Sequence, residues 1–172
     1  MRKDKIILGL GSNIGDSVAI ISEAVQQLEQ FFGETAVKSS YYETEPWGFN
    51  TESNFINQCV YFSVNNLTTT PEQLLVKIGE IEKKLGRKRS ITKKYSSRKI
   101  DIDILYFKDK IIKSDQLTIP HPRISERNFV LFPLAEILPD HFDSKSKKTV
   151  LALKNLSKDE DIPRKLLDIS MK

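Results

Sequence analysis

Ile100-Asp101-Ile102-Asp103-Ile104 is the stretch on which the reading of this chain turns. Side chains alternate faces along a β-strand, so a strand here puts three isoleucines on one side and both aspartates on the other. The two acids then have Cα atoms roughly 7 Å apart, since each strand residue rises about 3.3 Å. Aspartate is a poor strand former, and like charges this close repel. Such a pair persists on a wet edge strand or on a face where cations neutralise it. Oxygen ligands without a Cys/His cluster suit Mg²⁺ better than zinc. Mg²⁺ takes one or two protein carboxylates and completes its shell with water and phosphate oxygens.

The segment just upstream supplies counter-charge. Arg87, Lys88, Arg89, Lys93, Lys94, Arg98 and Lys99 fall within thirteen residues that contain no acid. A block like this binds polyanions or forms a solvated loop. Next to paired carboxylates it suits a metal–phosphate site, in which cations neutralise a reacting phosphoryl group. Over the whole chain the balance is mild: 27 basic against 23 acidic residues in 172, with 39% apolar. That composition is ordinary for one globular domain.

Working outward, Lys5–Leu10 reads as a buried strand. Asp16 caps a helix whose apolar stripe is Val18, Ile21, Val25, Leu28 and Phe32, and Gly33 stops it. Ala36–Thr44 and Phe55–Val64 are β-branched and aromatic, and read as strands joined by a loop with Pro46, Trp47 and Gly48. Thr70-Pro71-Glu72-Gln73 is a capping box with proline at the first helical position. The stripe Leu74, Ile78, Ile81, Leu85 follows, then Gly86 and the basic segment, then the strand Ile100–Tyr106. Strand, helix, strand, strand, helix, strand is the order of an α+β, ferredoxin-like βαββαβ sandwich. Helices on one face would leave the other free for a site. Asp109-Lys110 is expected to turn a hairpin, and Pro120, Pro122, Pro133 and Pro139 break the remainder into turns and a brief helix. We expect one domain over 1–172, with a core at about 5–140 and a C-terminal tail at 141–172 whose last twenty residues are weakly packed.

Other motifs exclude more than they add. There is no GxxxxGK[ST] phosphate loop. Gly9, Gly11 and Gly15 have the wrong spacing for a dinucleotide fingerprint and read as a tight turn between strand and helix. The single Cys59 excludes an internal disulfide and reads as a buried, inert thiol. No stretch approaches the roughly 18 apolar residues of a membrane span. Met1–Asp4 leads into the first strand without a signal-peptide core, so a cytoplasmic protein is expected. His121, in Pro120-His121-Pro122-Arg123, suits a structural hydrogen bonder or a donor to phosphate.

Taken together these segments resemble the 6-hydroxymethyl-7,8-dihydropterin pyrophosphokinase (HPPK) family. The resemblance is carried by Gly11-Ser12-Asn13-Ile14-Gly15-Asp16, Tyr42-x-Thr44-x-Pro46-x-Gly48, Phe55-x-Asn57 and Gly86-Arg87-x-Arg89. It continues through Arg98-x-Ile100-Asp101-Ile102-Asp103-Ile104-Leu105, Pro120-His121-Pro122-Arg123 and the run from Arg127 to Pro139. It implies transfer of diphosphate from ATP to the hydroxymethyl group of the dihydropterin, releasing AMP, in folate biosynthesis. By the same resemblance Asp101 and Asp103 bind two Mg²⁺ ions that assist in-line attack on the β-phosphorus, while Arg87 and Arg98 neutralise charge on the transferred group. Glu82, Arg89, Ile104, Thr118, His121 and Arg127 would contact ATP. Phe55 and Phe129 would sandwich the pterin, Asn57 would bond its polar edge, and Thr44, Pro46, Trp47 and Tyr95 would complete its wall. A flat heterocycle between two aromatic faces, with a few placed polar groups, is physically sound.

Two departures stand out. The family commonly has Trp-Gly-Pro-Arg where this chain has Tyr95-Ser96-Ser97-Arg98, and Gln where it has Gly79. Both predict altered affinity rather than lost activity. An RNA-recognition domain shares the fold plan, but its central strand is aromatic, and IDIDIL would repel a phosphate backbone. Palm-type nucleotidyl transferases also display paired aspartates and differ in releasing pyrophosphate. The expectation is a monomer that binds ATP and the dihydropterin, with neither nucleic acid nor membrane as partner.

Overall fold

The computed structural model describes residues 4–46, 53–64, 68–87 and 98–167. It is an α+β protein built on an antiparallel sheet. The elements are β1 (Asp4–Ser12), α1 (Ser17–Phe32), β2 (Val37–Lys38), β3 (Tyr42–Thr44), β4 (Phe55–Val64), α2 (Pro71–Lys84), β5 (Asp101–Phe107), β6 (Ile112–Lys113), β7 (Thr118–Ile119), α3 (Asn128–Ile137), β8 (Phe142–Asp143), β9 (Lys148–Thr149), α4 (Val150–Leu156) and β10 (Arg164–Lys165). The main sheet runs β10-β3-β4-β1-β5, and β2 also pairs with β4.

Both long helices start and stop where local chemistry dictates. The Asp16 side chain accepts from Ala19 N–H, and Gly33 ends α1 in the left-handed region at φ 67°. The Thr70/Gln73 capping box is closed in both directions. Their apolar stripes pack on one face of the sheet with Ile6, Leu8, Leu10, Val60 and Phe62, and Ile100, Ile102 and Ile104 belong to the same core. The alternation read from the sequence therefore holds. The isoleucines face the helices and Asp101 and Asp103 face away.

The second face is not left free. Ile7, Cys59, Leu105 and Tyr106 pack there against Val130, Leu131 and Leu134 of α3 and Val150 and Leu153 of α4. The sheet is thus covered on both sides at its lower end, and only its upper end is open. A bulge makes this possible. The β1–β5 register shifts so that Ile7 pairs with Tyr106 while Leu8 pairs with Ile104. The extra residue lets Leu105 and Tyr106 both face α3.

Three other expectations change. The strand expected at Ala36–Thr44 is broken, because Ser39 uses its side chain as well as its backbone on β4. Its N–H donates to Cys59 O, and its Oγ accepts from Cys59 N–H. The turn at 108–109 does not join paired strands, and the hairpin is instead β6–β7, closed by Ser114 and Leu117. Finally, 141–167 is no loose tail: β8 and β9 pair, α4 buries Val150 and Leu153, and β10 adds a strand to β3. Thr149 caps α4 through Ala152 N–H, a signal at Thr149-Val150 that the reading of a tail passed over.

Candidate active site

The open end of the sheet is a cleft lined by Gly9, Gly11, Thr44, Phe55, Asn57, Arg98, Asp101, Asp103, Arg127 and Phe129, among others. Its floor follows from strand register. On β1, Gly11 pairs with Asn57 on one side and Asp101 on the other, and Gly9 pairs with Cys59 and Asp103. Two central positions without side chains make a trough between the acids of β5 and the polar and aromatic groups of β4. Neither glycine belongs to a turn. Only Gly15 of the three has positive φ, at 79°.

At the acidic end, both Asp101 oxygens are engaged: Arg87 Nη1 lies 2.8 Å from Oδ1 and Arg98 Nη1 2.8 Å from Oδ2. Arg87 Nη1 also bonds Glu82, whose Oε1 accepts from Ile102 N–H at 2.9 Å. Burial pushes the Glu82 carboxyl up against the opposing pull of Arg87. Burial works against the Arg87 charge, yet Asp101 and Glu82 outweigh it and hold that guanidinium protonated. Asp103 faces Arg127 Nη1 at 3.8 Å and His121 Nε2 at 3.9 Å. Withdrawal from water, and then Asp101, push the Asp103 carboxyl up to about 7. His121 is moved the other way, down to about 4, by burial and by Arg127. Its Nδ1 accepts from Arg123 N–H, so at neutral pH the uncharged ring presents Nε2–H to the cleft.

Across the trough Asn57 Nδ2 donates to Thr44 Oγ1 at 2.8 Å, which leaves Oδ1 beside Gly11 as an acceptor. Phe55 and Phe129 are half-buried. The Arg127 guanidinium carbon lies 5.3 Å from the Phe129 ring centre, so a cation covers one aromatic face. Cys59, fully buried beneath this end, has its thiol pushed up by burial and by Asp103, which fits the inert role expected of it.

The structure therefore gathers Thr44, Phe55, Asn57, Arg98, Asp101, Asp103, Arg127 and Phe129 around one cleft, with Glu82, Arg87 and His121 at its acidic end. Thr118 lies on β7 and Pro46 just beyond β3. Ile104 is not brought in by its side chain, which the alternation sends into the helix-facing core. Trp47, Arg89 and Tyr95 fall outside the described residues. Asn13 was missed. It is buried, its Oδ1 accepts from Arg98 N–H at 2.8 Å, and its N–H donates to Arg98 O at 3.2 Å. The turn at residues 11–16 thus holds the backbone of an arginine 85 residues away. Its signal in the sequence was its place in the Gly11–Asp16 segment that carries the family resemblance.

The donor set fits Mg²⁺. Two carboxylates project from one strand face, and among the described residues no group of three or more His, Cys, Asp and Glu side chains is clustered for a metal. A hard cation that shares its shell with phosphate needs no more than two protein oxygens. Among the described residues no helix is long and apolar enough to cross a membrane.

A family model described as 7,8-dihydro-6-hydroxymethylpterin-pyrophosphokinase (HPPK) matches residues 7–139. A 2-amino-4-hydroxy-6-hydroxymethyldihydropteridine pyrophosphokinase from Aquifex aeolicus is 42% identical over 135 residues, covering 78% of this chain and 81% of the relative. One from Bacillus subtilis is 42% identical over 131 residues, covering 76% and 75%. In structure, the chain is similar to Plasmodium falciparum HPPK-DHPS, with a TM-score of 0.70 at 20% identity over 90% of this chain. This chain spans only 44% of that longer one, and the likeness speaks to the fold alone.

Proposed function

The chain belongs to the HPPK family, and from that premise we propose that it transfers diphosphate from ATP to 6-hydroxymethyl-7,8-dihydropterin, leaving AMP and the pterin diphosphate, in folate biosynthesis. The observation that carries this reading is the pair of sites on either side of the Gly9/Gly11 trough. Acids and guanidiniums stand on one side, and an aromatic slot with an oriented amide stands on the other. A polyphosphate and a flat heterocycle need those two environments, side by side, for one to react with the other. The strand order β3-β4-β1-β5 supports the ferredoxin-like description of the scaffold.

In this reading Asp101 and Asp103 would hold two Mg²⁺ ions, whose chemistry when bound is to neutralise phosphate oxygens. Arg87 and Arg98 turn from Asp101 towards the transferred group and stabilise charge as it develops, with the hydroxyl attacking the β-phosphorus in line. Glu82 positions Arg87 through the bond between them. Arg127, His121, Thr118 and Arg89 contact ATP, and Ile104 does so only through its backbone. Phe55 and Phe129 stack the ring, Asn57 Oδ1 accepts from its polar edge, and Thr44 fixes that amide. Pro46, Trp47 and Tyr95 complete the wall. Among the groups gathered here none stands out as a dedicated base, which suits catalysis by position and electrostatics.

The deciding experiment combines purified protein, ATP, Mg²⁺ and the reduced hydroxymethylpterin. AMP should form only when all are present. AMP that forms equally without the pterin, or pyrophosphate released with nucleotide transferred, would sink the assignment.

A further inference from the structure

The segment beyond α4 reaches back to the site, and it lies outside the family match, which ends at residue 139. The helix α3 starts at Asn128, one residue before Phe129, and Arg127 gives it no side-chain cap. The cap comes from 31 residues away. Asn128 N–H donates to Asp159 Oδ2 at 2.8 Å, and its side-chain amide donates to the carbonyls of Asp159 at 2.9 Å and Asp161 at 2.8 Å. A carboxylate at a helix N-terminus satisfies an orphan donor and complements the helix dipole. Asp159 Oδ1 accepts from Asp161 N–H, which fixes the loop upon itself.

The same segment then binds the opposite wall. Arg164 and Lys165 form β10, in register with Glu43 and Tyr42 of β3, and Leu166 N–H donates to Tyr41 O at 2.9 Å. The Arg164 guanidinium pairs with Glu43, and Lys165 Nζ lies 3.0 Å from Glu136 of α3. Glu136 itself accepts from Tyr42 OH and Ser40. One stretch, 157–167, is therefore bonded both to the strand that ends in Thr44 and to the first turn of the helix that carries Phe129. Thr44 pairs with Phe55 of β4, so the stretch holds the Phe129 wall through α3 and adjoins the Phe55 wall through β3. The acids stand on β5, separated from β3 by β4 and β1.

We propose that 157–167 is a strap that sets the spacing of the aromatic slot, with Asn128 and Asp159 as positioning residues for the ring substrate. This rests on the reading of Phe55, Asn57 and Phe129 as the pterin slot. Stacking and an oriented amide bond tolerate only about 0.5 Å of play, so a wall free to shift loses affinity for the ring before it affects the phosphate end. The strap acts through Phe129 and Thr44 and touches no reacting atom.

The test uses the full chain carrying Asp159→Ala, Asp159→Asn or the exposed-site Arg164→Ala, with KM measured separately for the dihydropterin and for ATP. Asp159→Ala should raise the pterin KM about tenfold and the ATP KM by less, about two- to threefold, through Arg127, which precedes Asn128 and faces Asp103, with kcat within about twofold. Asp159→Asn keeps an acceptor for Asn128 N–H and should recover most of the loss. Arg164→Ala should raise the pterin KM about two- to threefold. Equal changes in both KM values, or none in either, overturn the strap. Hydrogen exchange gives a second readout that needs no turnover. Asp159→Ala should speed exchange at residues 128–131 and 42–45 while 101–104 stay protected, and unchanged exchange there overturns the strap as well. Wild-type protein that makes no pterin diphosphate would instead overturn the functional reading, with the exchange result still deciding the strap.

Discussion

Gly11 stands opposite Asn57 in the β1–β4 ladder, so close that a β-carbon on Gly11 would lie 3.0 Å from Asn57 Oδ1. At that separation the amide must give by a few tenths of an ångström, and Oδ1 is the atom proposed to meet the ring substrate. Gly11→Ala should therefore push the amide out of line and weaken one hydrogen bond, worth about 0.5–1.5 kcal/mol. The pterin KM should rise by up to about tenfold, and the ATP KM should stay near wild type. Steady-state kinetics with each substrate varied checks this, and an equal rise in both would show that the strand itself had moved.

Asn13 predicts a different defect. Asn13→Ala removes the acceptor for Arg98 N–H, and a donor stranded in this way costs about 1–3 kcal/mol. Arg98 should lose its fixed direction, so kcat should fall about tenfold with little change in pterin affinity. A pterin binding titration alongside turnover separates the two effects.

Asp101→Asn and Asp103→Asn should each lower kcat by at least about 10²–10³, the scale of removing a preorganised electrostatic group. Circular dichroism should show an intact fold, because both side chains lie on the cleft face and not among the isoleucines. Activity that survives at a hundredth or more of wild type at saturating Mg²⁺ would argue against these carboxylates as metal ligands.

Stability against pH should reveal two opposing groups. Asp103 is raised from 3.8 to about 7, so its contribution is complete below about pH 4 and is lost as pH rises through 7. His121 is lowered from 6.5 to about 4, so its contribution is complete above 6.5 and is lost as pH falls through 4. Between these limits their slopes oppose. With metal chelated, thermal midpoints of Asp103→Asn should climb with pH from 4 to 7, and those of His121→Gln should decline. Parallel curves for the two variants would contradict these assignments.

Much of this was legible in the residues. Period-two alternation at 100–104 and the caps at Asp16 and Thr70 are local signals, and local signals survive into the fold. What was lost depended on pairing between distant segments. Gly9 and Gly11 look like turn residues until β1 is known to run between β4 and β5. Asn13 looks like a loop residue until Arg98 arrives beside it. The bulge at Leu105 and Tyr106 leaves no mark in the hydropathy pattern, because both residues are apolar on either face. The closing segment hides its role for the same reason. Its anchors, Asn128 and Glu43, lie 31 and 121 residues from Asp159 and Arg164.

The two guanidiniums on Asp101 bear on how this enzyme waits for its substrates. Both carboxylate oxygens are charge-compensated, so on the proposed role of Asp101 a lone divalent ion would compete with an arginine at each of them. A triphosphate offers those arginines other oxygens to grip. On the proposed roles loading would be an exchange of partners, with cation and nucleotide together favoured over either one alone.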